Sequence, residues 1–233
     1  MTNINIATNL AAVNRRMREY EKKYGRTPNS VRLLAVSKGQ SAEKIKLAYA
    51  AGQRCFGENY LQEALEKIDD ISRHCDETIE WHFIGHLQSN KTRKIAEHFA
   101  WAHSVCDKNI AKRLNDQRPA HLPPLSICIQ VNISHEASKS GTGSDQVLAL
   151  AEYCTSLPNL RLRGLMAIPA IKNHLAEQRA EYNKLRSIYE WLQQRGLELD
   201  TLSMGMSNDM EAAIAEKSNL IRIGAAIFGE RIP

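Results

Sequence analysis

Short apolar runs alternate with amphipathic stretches along most of the chain. Runs such as LLAVS at 33–37 and LSICIQV at 125–131 are mostly apolar, which is typical of strands buried on both faces of a parallel sheet. The pattern predicts eight strands, over residues 32–38, 55–59, 81–85, 101–106, 125–134, 161–168, 201–205 and 220–229.

The stretches between these strands have apolar residues at helical spacing. They predict helices over residues 42–51, 61–71, 108–117, 144–157 and 175–194. Eight alternations within 233 residues predict one α/β domain over residues 1–233, a closed (β/α)8 barrel of the TIM type. An extra N-terminal helix is predicted over residues 6–24. The alternative, an open doubly wound sheet, would be favoured by G-x-G-x-x-G after the first strand, which instead ends in SKGQ at 37–40.

The composition limits the compartments in which the protein is expected to act and the partners that it is expected to bind. The net charge of +5 comes partly from basic residues at 15–26, but Glu19 and Glu21 interrupt them, which indicates a solvated helix face and no nucleic-acid partner. No apolar run approaches the ~18 residues of a membrane span, and the N-terminus lacks a secretory pattern. Five scattered cysteines without a C-x-x-C pair indicate a reducing compartment. We therefore expect a cytoplasmic protein with no membrane contact.

The residues at the strand ends are the candidates for chemistry, because barrel sites lie at the carboxyl ends of the strands. Lys38 ends an otherwise apolar first strand. An amine held among apolar groups has a lowered pKa and becomes nucleophilic towards an aldehyde. A lysine that extends from the strand end into solvent is an equally acceptable interpretation of this position.

The loops after the seventh and eighth strands predict a phosphate site. Met204 begins a segment that runs through Ser207 into a helical pattern at 209–216, so Ser207 is predicted to cap that helix. Its hydroxyl and nearby backbone N–H groups would suit a dianion. Gly224 allows close approach of the backbone from the eighth strand. The alternative is that Ser207 only caps a helix and Gly224 only packs.

Two further features have competing explanations. Arg222 lies two residues before Gly224, so it points to the same inward face and needs a partner, either a cofactor or an acid such as Glu58. His82 and His86 have a metal-like spacing, but they span a strand and a loop rather than one helix face. We predict no metal site.

Several long phrases in a fixed order carry a family resemblance. They are LLAVSK at 33–38, FGENY at 56–60, WHFIG at 81–85, LQSNK at 87–91, RLRGLMAIP at 161–169, SMGMS at 203–207, DMEAAI at 209–214 and RIGAAIFG at 222–229. Through them the chain resembles, essentially end to end, the pyridoxal phosphate homeostasis proteins and the barrel domain of alanine racemase. The resemblance implies the fold of the type III proteins that bind pyridoxal 5′-phosphate (PLP).

The resemblance also implies roles for individual residues. Lys38 would hold PLP as a Schiff base. Ser207 and the backbone of Gly224 and Ala225 would hold the phosphate, and Arg222 would face the pyridine nitrogen. These roles agree with the interpretation of the strand ends given above.

Other positions match family residues at the mouth of the barrel, or depart from the family pattern. The further residues expected to bind the cofactor are Asn59, His82 and Met204. His86 stands where the family usually has Pro, and Asn208 stands where it usually has Asp. Ala225 replaces a common Thr or Ser, so one phosphate-binding hydroxyl is missing and PLP retention is expected to be weaker.

The expected function is a PLP carrier that buffers or delivers the cofactor without turnover. Arginine keeps its proton, so Arg222 would leave the pyridine nitrogen unprotonated and the ring a poor electron sink. Racemases with this arrangement use an opposed second base from an additional β-domain, and this chain ends at Pro233 after the barrel. We expect a monomer that makes transient contacts with apo-PLP enzymes. The alternative is a PLP-dependent amino-acid racemase.

Overall fold

Eight parallel strands close into a barrel in the computed structural model, which describes residues 5–73, 79–134 and 140–230. The strands are β1 Arg32–Val36, β2 Cys55–Glu58, β3 Glu80–Phe83, β4 Trp101–Val105, β5 Leu125–Gln130, β6 Leu160–Met166, β7 Thr201–Ser203 and β8 Leu220–Ile223. Each strand pairs with the next along the chain, and β8 pairs with β1, where Arg32 aligns with Leu220 and Ala35 with Ile223. The predicted (β/α)8 barrel is confirmed, and the open-sheet alternative is wrong.

Helices alternate with the strands on the outside of the barrel. They are α1 Ile6–Lys23, α2 Ala42–Ala50, α3 Leu61–Ser72, α4 Thr92–His98, α5 Lys108–Gln117, α6 Val147–Thr155, α7 Leu175–Gln194, α8 Met210–Ala215 and α9 Ala225–Phe228. Among the residues that the structure describes, no helix is both long enough and apolar enough to cross a bilayer.

Three elements differ clearly from the prediction, and the first is the fifth strand, which ends at Gln130 instead of residue 134. The eighth strand ends at Ile223 instead of continuing to residue 229, and the apolar run after Gly224 forms α9. A short apolar run has no period that separates strand from helix, which explains the error. Helix α4 was not predicted because its charged residues dominate the pattern, although Thr92, Ile95 and Ala96 share one buried face.

The predicted extra helix is α1. Its buried residues Ile6, Leu10, Val13 and Met17 recur at helical spacing and form one apolar stripe. Asn5 caps its first turn, since the side-chain Oδ1 accepts a hydrogen bond from the Thr8 N–H at 3.0 Å. The helix packs against α2, α8 and α9, which lie beside the junction of β1 and β8.

The apolar core and the barrel interior have different compositions. The core between the strands and the helices is built from side chains such as Phe56, Phe83, Phe99, Leu114 and Tyr182, all buried. Burial of each such side chain stabilises the fold by about 1.5–3 kcal/mol. The barrel interior, in contrast, holds buried polar side chains: His82, His103, Ser203 and Arg222. These interior groups lie directly below the mouth formed by the carboxyl ends of the strands.

Candidate cofactor-binding site

A cavity of about 500 Å³ opens at the carboxyl ends of the strands. This volume falls within the range of small-molecule sites. Its lining residues are Val36, Lys38, Gln40, Asn59, Ile84, Met166, Ile168, Met206, Ser207, Arg222, Gly224, Ala225, Gly229 and Glu230. Six of the eight residues predicted to bind the cofactor therefore meet in one cavity.

Lys38 lies in the turn that follows β1 and is half-buried at the cavity wall. Its neighbour Ser37 is fully buried and held from several sides. The Ser37 N–H donates to the Gly57 carbonyl at 3.0 Å, and its hydroxyl donates to Glu58 Oε1 at 2.7 Å. The Ser37 carbonyl accepts from the Gln40 N–H at 3.0 Å. The backbone that presents Lys38 is thus fixed to β2.

A buried ion pair supports the ends of β1 and β2. The Lys67 ammonium lies 2.9 Å from Glu58 Oε1 and 2.8 Å from the Ser37 carbonyl oxygen, and it also contacts Glu63. Burial raises the pKa of the Glu58 carboxyl, although the charge of Lys67 acts in the opposite direction. The suggested pairing of Arg222 with Glu58 is wrong, because Lys67 is the cation beside Glu58.

Sequence reasoning missed Lys67, although one signal was present. Ala64, Lys67 and Ile71 share the buried stripe of α3, so a lysine occupies an apolar position of an amphipathic helix. A buried lysine needs an acidic partner. The pattern could have indicated an ion pair, but not that its partner lies on β2.

Asn59 follows β2 and lines the cavity. Its Oδ1 is buried and accepts no hydrogen bond from any residue that the structure describes. An unsatisfied buried acceptor costs about 1–3 kcal/mol. A ligand that donates a hydrogen bond here would remove this cost.

Ser207 lines the cavity from the turn between β7 and α8. The prediction that it caps α8 is wrong. The N-cap residue is Asp209, whose side chain does not bond to the helix N–H groups. Instead Asp209 Oδ1 accepts from the Met206 N–H at 2.5 Å, and Oδ2 accepts from the Tyr182 hydroxyl at 2.8 Å. The turn that carries Ser207 is therefore tied to α7 through Asp209.

Gly224 and Ala225 form the opposite wall, after β8. A Cβ atom on Gly224 would lie 3.0 Å from the Val36 carbonyl oxygen, so glycine is needed for close packing of β8 on β1. Gly224 thus both packs against Val36 and lines the cavity. Ala225 is exposed in the first turn of α9, where backbone N–H groups lack intrahelical acceptors.

Arg222 forms part of the cavity floor and is buried. Its Nη1 donates to the Ser203 carbonyl at 2.5 Å and to the Ser203 hydroxyl at 2.8 Å, and its Nη2 donates to the Ala167 carbonyl at 3.0 Å. Across the described ranges, no carboxylate forms an ion pair with it. Burial lowers the pKa of the guanidinium below its ordinary value, although the charge of Asp209 acts in the opposite direction. The group nevertheless remains a cation near neutral pH.

His82 and Met204 do not line the cavity, which corrects the prediction for both. His82 is fully buried one level deeper in the barrel, and Ile84, two residues later on the same face, reaches the cavity instead. Met204 belongs to the outer apolar core, since side chains alternate along β7 and Ser203 takes the inward position. The methionines that line the cavity are Met166 and Met206.

The spacing of His82 and His86 does not form a metal site, because His86 is exposed in the loop after β3. A different group, Cys55, Glu80 and His82, brings potential ligand atoms within 4.8 Å of one another. The Arg32 guanidinium, however, donates to Glu80 Oε1 at 2.7 Å and to Cys55 Sγ at 2.9 Å. A cationic side chain therefore already engages these acceptors.

Comparison with known proteins places the chain in a family. The family described as "Alanine racemase, N-terminal domain" matches residues 8–232. The Pyridoxal phosphate homeostasis protein of Pseudomonas aeruginosa is 56% identical over 226 residues, which cover 97% of this chain and 96% of that protein. The protein of the same name from Escherichia coli is 51% identical over 226 residues, 97% of each chain.

Solved structures agree with this relationship. PipY of Synechococcus elongatus with PLP bound is 37% identical, has a TM-score of 0.83, and is matched over 96% of this chain and 100% of its own. Alanine racemase from Corynebacterium glutamicum shares the fold, with a TM-score of 0.71 at 16% identity, over 98% of this chain and 62% of its own. The chain therefore belongs to the pyridoxal phosphate homeostasis proteins, a family whose barrel is shared with the N-terminal domain of alanine racemases.

Proposed function

We propose that this protein binds PLP covalently through Lys38 and serves PLP homeostasis by buffering and delivering the cofactor. The observation that carries this proposal is the convergence of Lys38, Ser207 and Arg222 in one cavity of about 500 Å³. An amine, a hydroxyl that faces the same cavity as the Gly224–Ala225 backbone, and a guanidinium suit an aldehyde-bearing phosphate ester of a pyridine.

The residues present fit PLP part by part. Lys38 supplies the amine for the aldehyde carbon, and Ser207 with the Gly224–Ala225 backbone supplies hydrogen-bond donors for the phosphate. Asn59 contributes the buried acceptor that lacks a protein donor in the described ranges. PLP, when bound, supplies a reactive aldehyde and an aromatic ring that can accept electron density. Ala225 offers a backbone N–H but no hydroxyl, which supports moderate rather than maximal retention.

Arg222 determines what the bound ring can do. A guanidinium has five donors and no acceptor, so it can only donate a hydrogen bond to the pyridine nitrogen, which must then be unprotonated. With that nitrogen unprotonated, the ring is a weak electron sink. This arrangement favours holding the cofactor over catalysis on it.

The other cavity residues also support binding without turnover. Among the described residues that line the cavity, Lys38, Arg222 and Glu230 are the ionisable ones, and Glu230 is exposed at the rim. Proton transfer on both faces of an amino acid requires two positioned groups. A buried base opposite Lys38 is not present among the described lining residues, so we propose a carrier rather than a racemase.

A titration with PLP tests the binding proposal. Wild-type protein should develop the absorbance band of a lysine-bound cofactor, whereas Lys38→Ala should not. Lys94→Ala is the matched control, because Lys94 is an exposed lysine on α4 that pairs with Glu97. Equal titration of Lys38→Ala and wild type would contradict the assignment of Lys38.

A second assay separates the carrier from an enzyme. The PLP-loaded protein is incubated with a panel of L-amino acids, and racemisation, decarboxylation and transamination are followed. We expect no turnover above that of free PLP, together with reactivation of an apo-PLP enzyme faster than free PLP achieves. Sustained turnover of any amino acid would contradict the carrier proposal.

We further propose that the protein acts in the cytoplasm as a monomer that makes transient contacts with apo-PLP enzymes. Sedimentation at the assay concentration tests its mass.

A further inference from the structure

A continuous hydrogen-bonded chain crosses the barrel interior from Arg222 to the opposite end. Arg222 Nη1 lies 2.8 Å from Ser203 Oγ, and Ser203 Oγ lies 2.9 Å from His103 Nδ1. His103 Nε2 lies 2.8 Å from His82 Nδ1, and His82 Nε2 lies 2.7 Å from Glu80 Oε1. His82, His103 and Ser203 are each 0% exposed, so water does not compete along the chain.

The far end of this chain, at Glu80, fixes the direction of every hydrogen bond in it. Although burial acts in the opposite direction, hydrogen bonds from His82 and Arg32 and the charge of Arg32 hold the pKa of Glu80 below its ordinary value. A carboxylate accepts only, so His82 carries its proton on Nε2. Burial also lowers the pKa of His82, and it lowers the pKa of His103 well below its ordinary value. Both imidazoles are therefore neutral near pH 7, with one donor and one acceptor each.

The remaining positions of the protons follow from this constraint. Neutral His82 accepts on Nδ1, so His103 must donate from Nε2. Neutral His103 then accepts on Nδ1, and the Ser203 hydroxyl donates to it. Arg222 has only donors, so it donates to Ser203 Oγ. In each of the four hydrogen bonds, the donor lies on the side of Arg222 and the acceptor lies on the side of Glu80.

Packing holds the middle of the chain rigid. The Trp101 ring stacks on His82 with centroids 5.1 Å apart and planes within 8°. The Arg163 guanidinium lies 4.7 Å from the Trp101 ring centroid. Rotation of His82 would require Trp101 to move as well, so the imidazole plane is set by its neighbours as well as by Glu80.

We propose that His82, His103 and Ser203 are positioning residues that, anchored on the Glu80 carboxylate, hold the Arg222 guanidinium in one orientation at the PLP site. Asp209 is the carboxylate whose charge acts on Arg222 without a direct ion pair, whereas the hydrogen-bonded chain that ends at Glu80 contacts the guanidinium through the Ser203 hydroxyl. Each oriented neutral group presents its acceptor end towards Arg222, which stabilises the guanidinium in one orientation. This inference rests on the proposed PLP function, because that function gives Arg222 its role.

The tautomers of the two imidazoles test the inference without PLP. Long-range ¹H–¹⁵N spectra of the ¹⁵N-labelled protein should show His82 and His103 both protonated on Nε2 alone at pH 7. Glu80→Leu removes the acceptor and should change the tautomer population of at least His82. Glu80→Gln retains a carbonyl oxygen and should restore the wild-type pattern. Lys94→Ala is the control, because it breaks only the exposed Lys94–Glu97 pair on α4 and should leave both tautomers unchanged.

PLP binding gives an independent readout. Glu80→Leu and Ser203→Ala should weaken PLP binding by about three- to tenfold, the effect of one hydrogen bond, and should shift the absorbance of the bound cofactor. Lys94→Ala should leave both unchanged. If Glu80→Leu does not fold, PLP binding by Ser203→Ala and the spectrum of the wild-type protein still test the hydrogen-bonded chain from Arg222 to Glu80.

Two results would overturn the inference: a wild-type imidazole of His82 or His103 protonated on Nδ1, or unchanged tautomers in folded Glu80→Leu. Wild-type protein that fails to bind PLP would instead contradict the proposed function, and the tautomer result would remain valid.

Discussion

Replacement of Lys67 by methionine tests how the ends of β1 and β2 are held. Lys67 is buried and donates to Glu58 Oε1 at 2.9 Å and to the Ser37 carbonyl at 2.8 Å. Glu58 is 0% exposed, and its Oε2 already lacks a partner in the described part of the chain. Lys67→Met therefore leaves a carboxylate without its cation in the interior. Breaking a buried ion pair in this way costs about 3–5 kcal/mol.

The loss should depend on pH with a definite sign. The pKa of Glu58 in the folded protein is already above its ordinary value of 4.5, because of burial. Lys67 lowers this pKa, so its removal raises the pKa further. A group with a raised folded pKa stabilises the fold fully below its unfolded pKa, and this contribution is lost as the pH rises through the folded pKa. The penalty of Lys67→Met is therefore expected to be larger at pH 8 than at pH 5.

The assay is equilibrium denaturation by urea at pH 5 and pH 8, with two reference variants. Lys94→Met breaks an exposed pair with Glu97 and should cost less than about 1 kcal/mol at either pH. Lys67→Met/Glu58→Gln removes the unpaired charge and should recover at least half of the loss at pH 8. A cost of Lys67→Met no greater than that of Lys94→Met at pH 8, or a double variant that recovers nothing, would refute this role of Lys67.

The remaining predictions concern the phosphate loops and a glycine. Ser207→Ala should weaken PLP binding by about 0.5–3 kcal/mol, and Ala225→Thr should tighten it, in PLP titrations. Unchanged affinity in Ser207→Ala would remove Ser207 from the site. Gly205→Ala should destabilise the fold by about 1–3 kcal/mol, because φ is +101° and the new Cβ would lie 2.5 Å from Ala213 Cβ. Gly25→Ala is the control, with φ +62° and no atom within 4 Å, and equal losses in urea denaturation would contradict the steric argument.

The barrel could be predicted because its strands are buried on both faces and therefore appear as apolar runs. The same property explains the overextended eighth strand: Ile223 and the residues after Gly224 are equally apolar, and only the three-dimensional packing of Gly224 on Val36 marks where β8 ends. That residues 1–233 form a single domain stays a prediction.

The residues of the candidate site that follow the ends of the strands could be predicted from the sequence. Lys38, Asn59 and Ser207 follow β1, β2 and β7, and a barrel brings such positions together at one mouth. The depth of a residue within the barrel is not visible in the sequence, so His82 was placed one level too high. The pairing of Lys67 with Glu58 was missed because it joins a helix position to a strand end, and periodicity identifies a buried face but not the partner across it.

The attachment point of PLP is the most direct test of the central claim. The wild-type protein is loaded with PLP, reduced with borohydride, digested and analysed by peptide mass mapping. We expect the pyridoxyl group on Lys38, at the end of β1 and inside the cavity lined by Ser207 and Arg222. A pyridoxyl group chiefly on any other lysine would contradict the account.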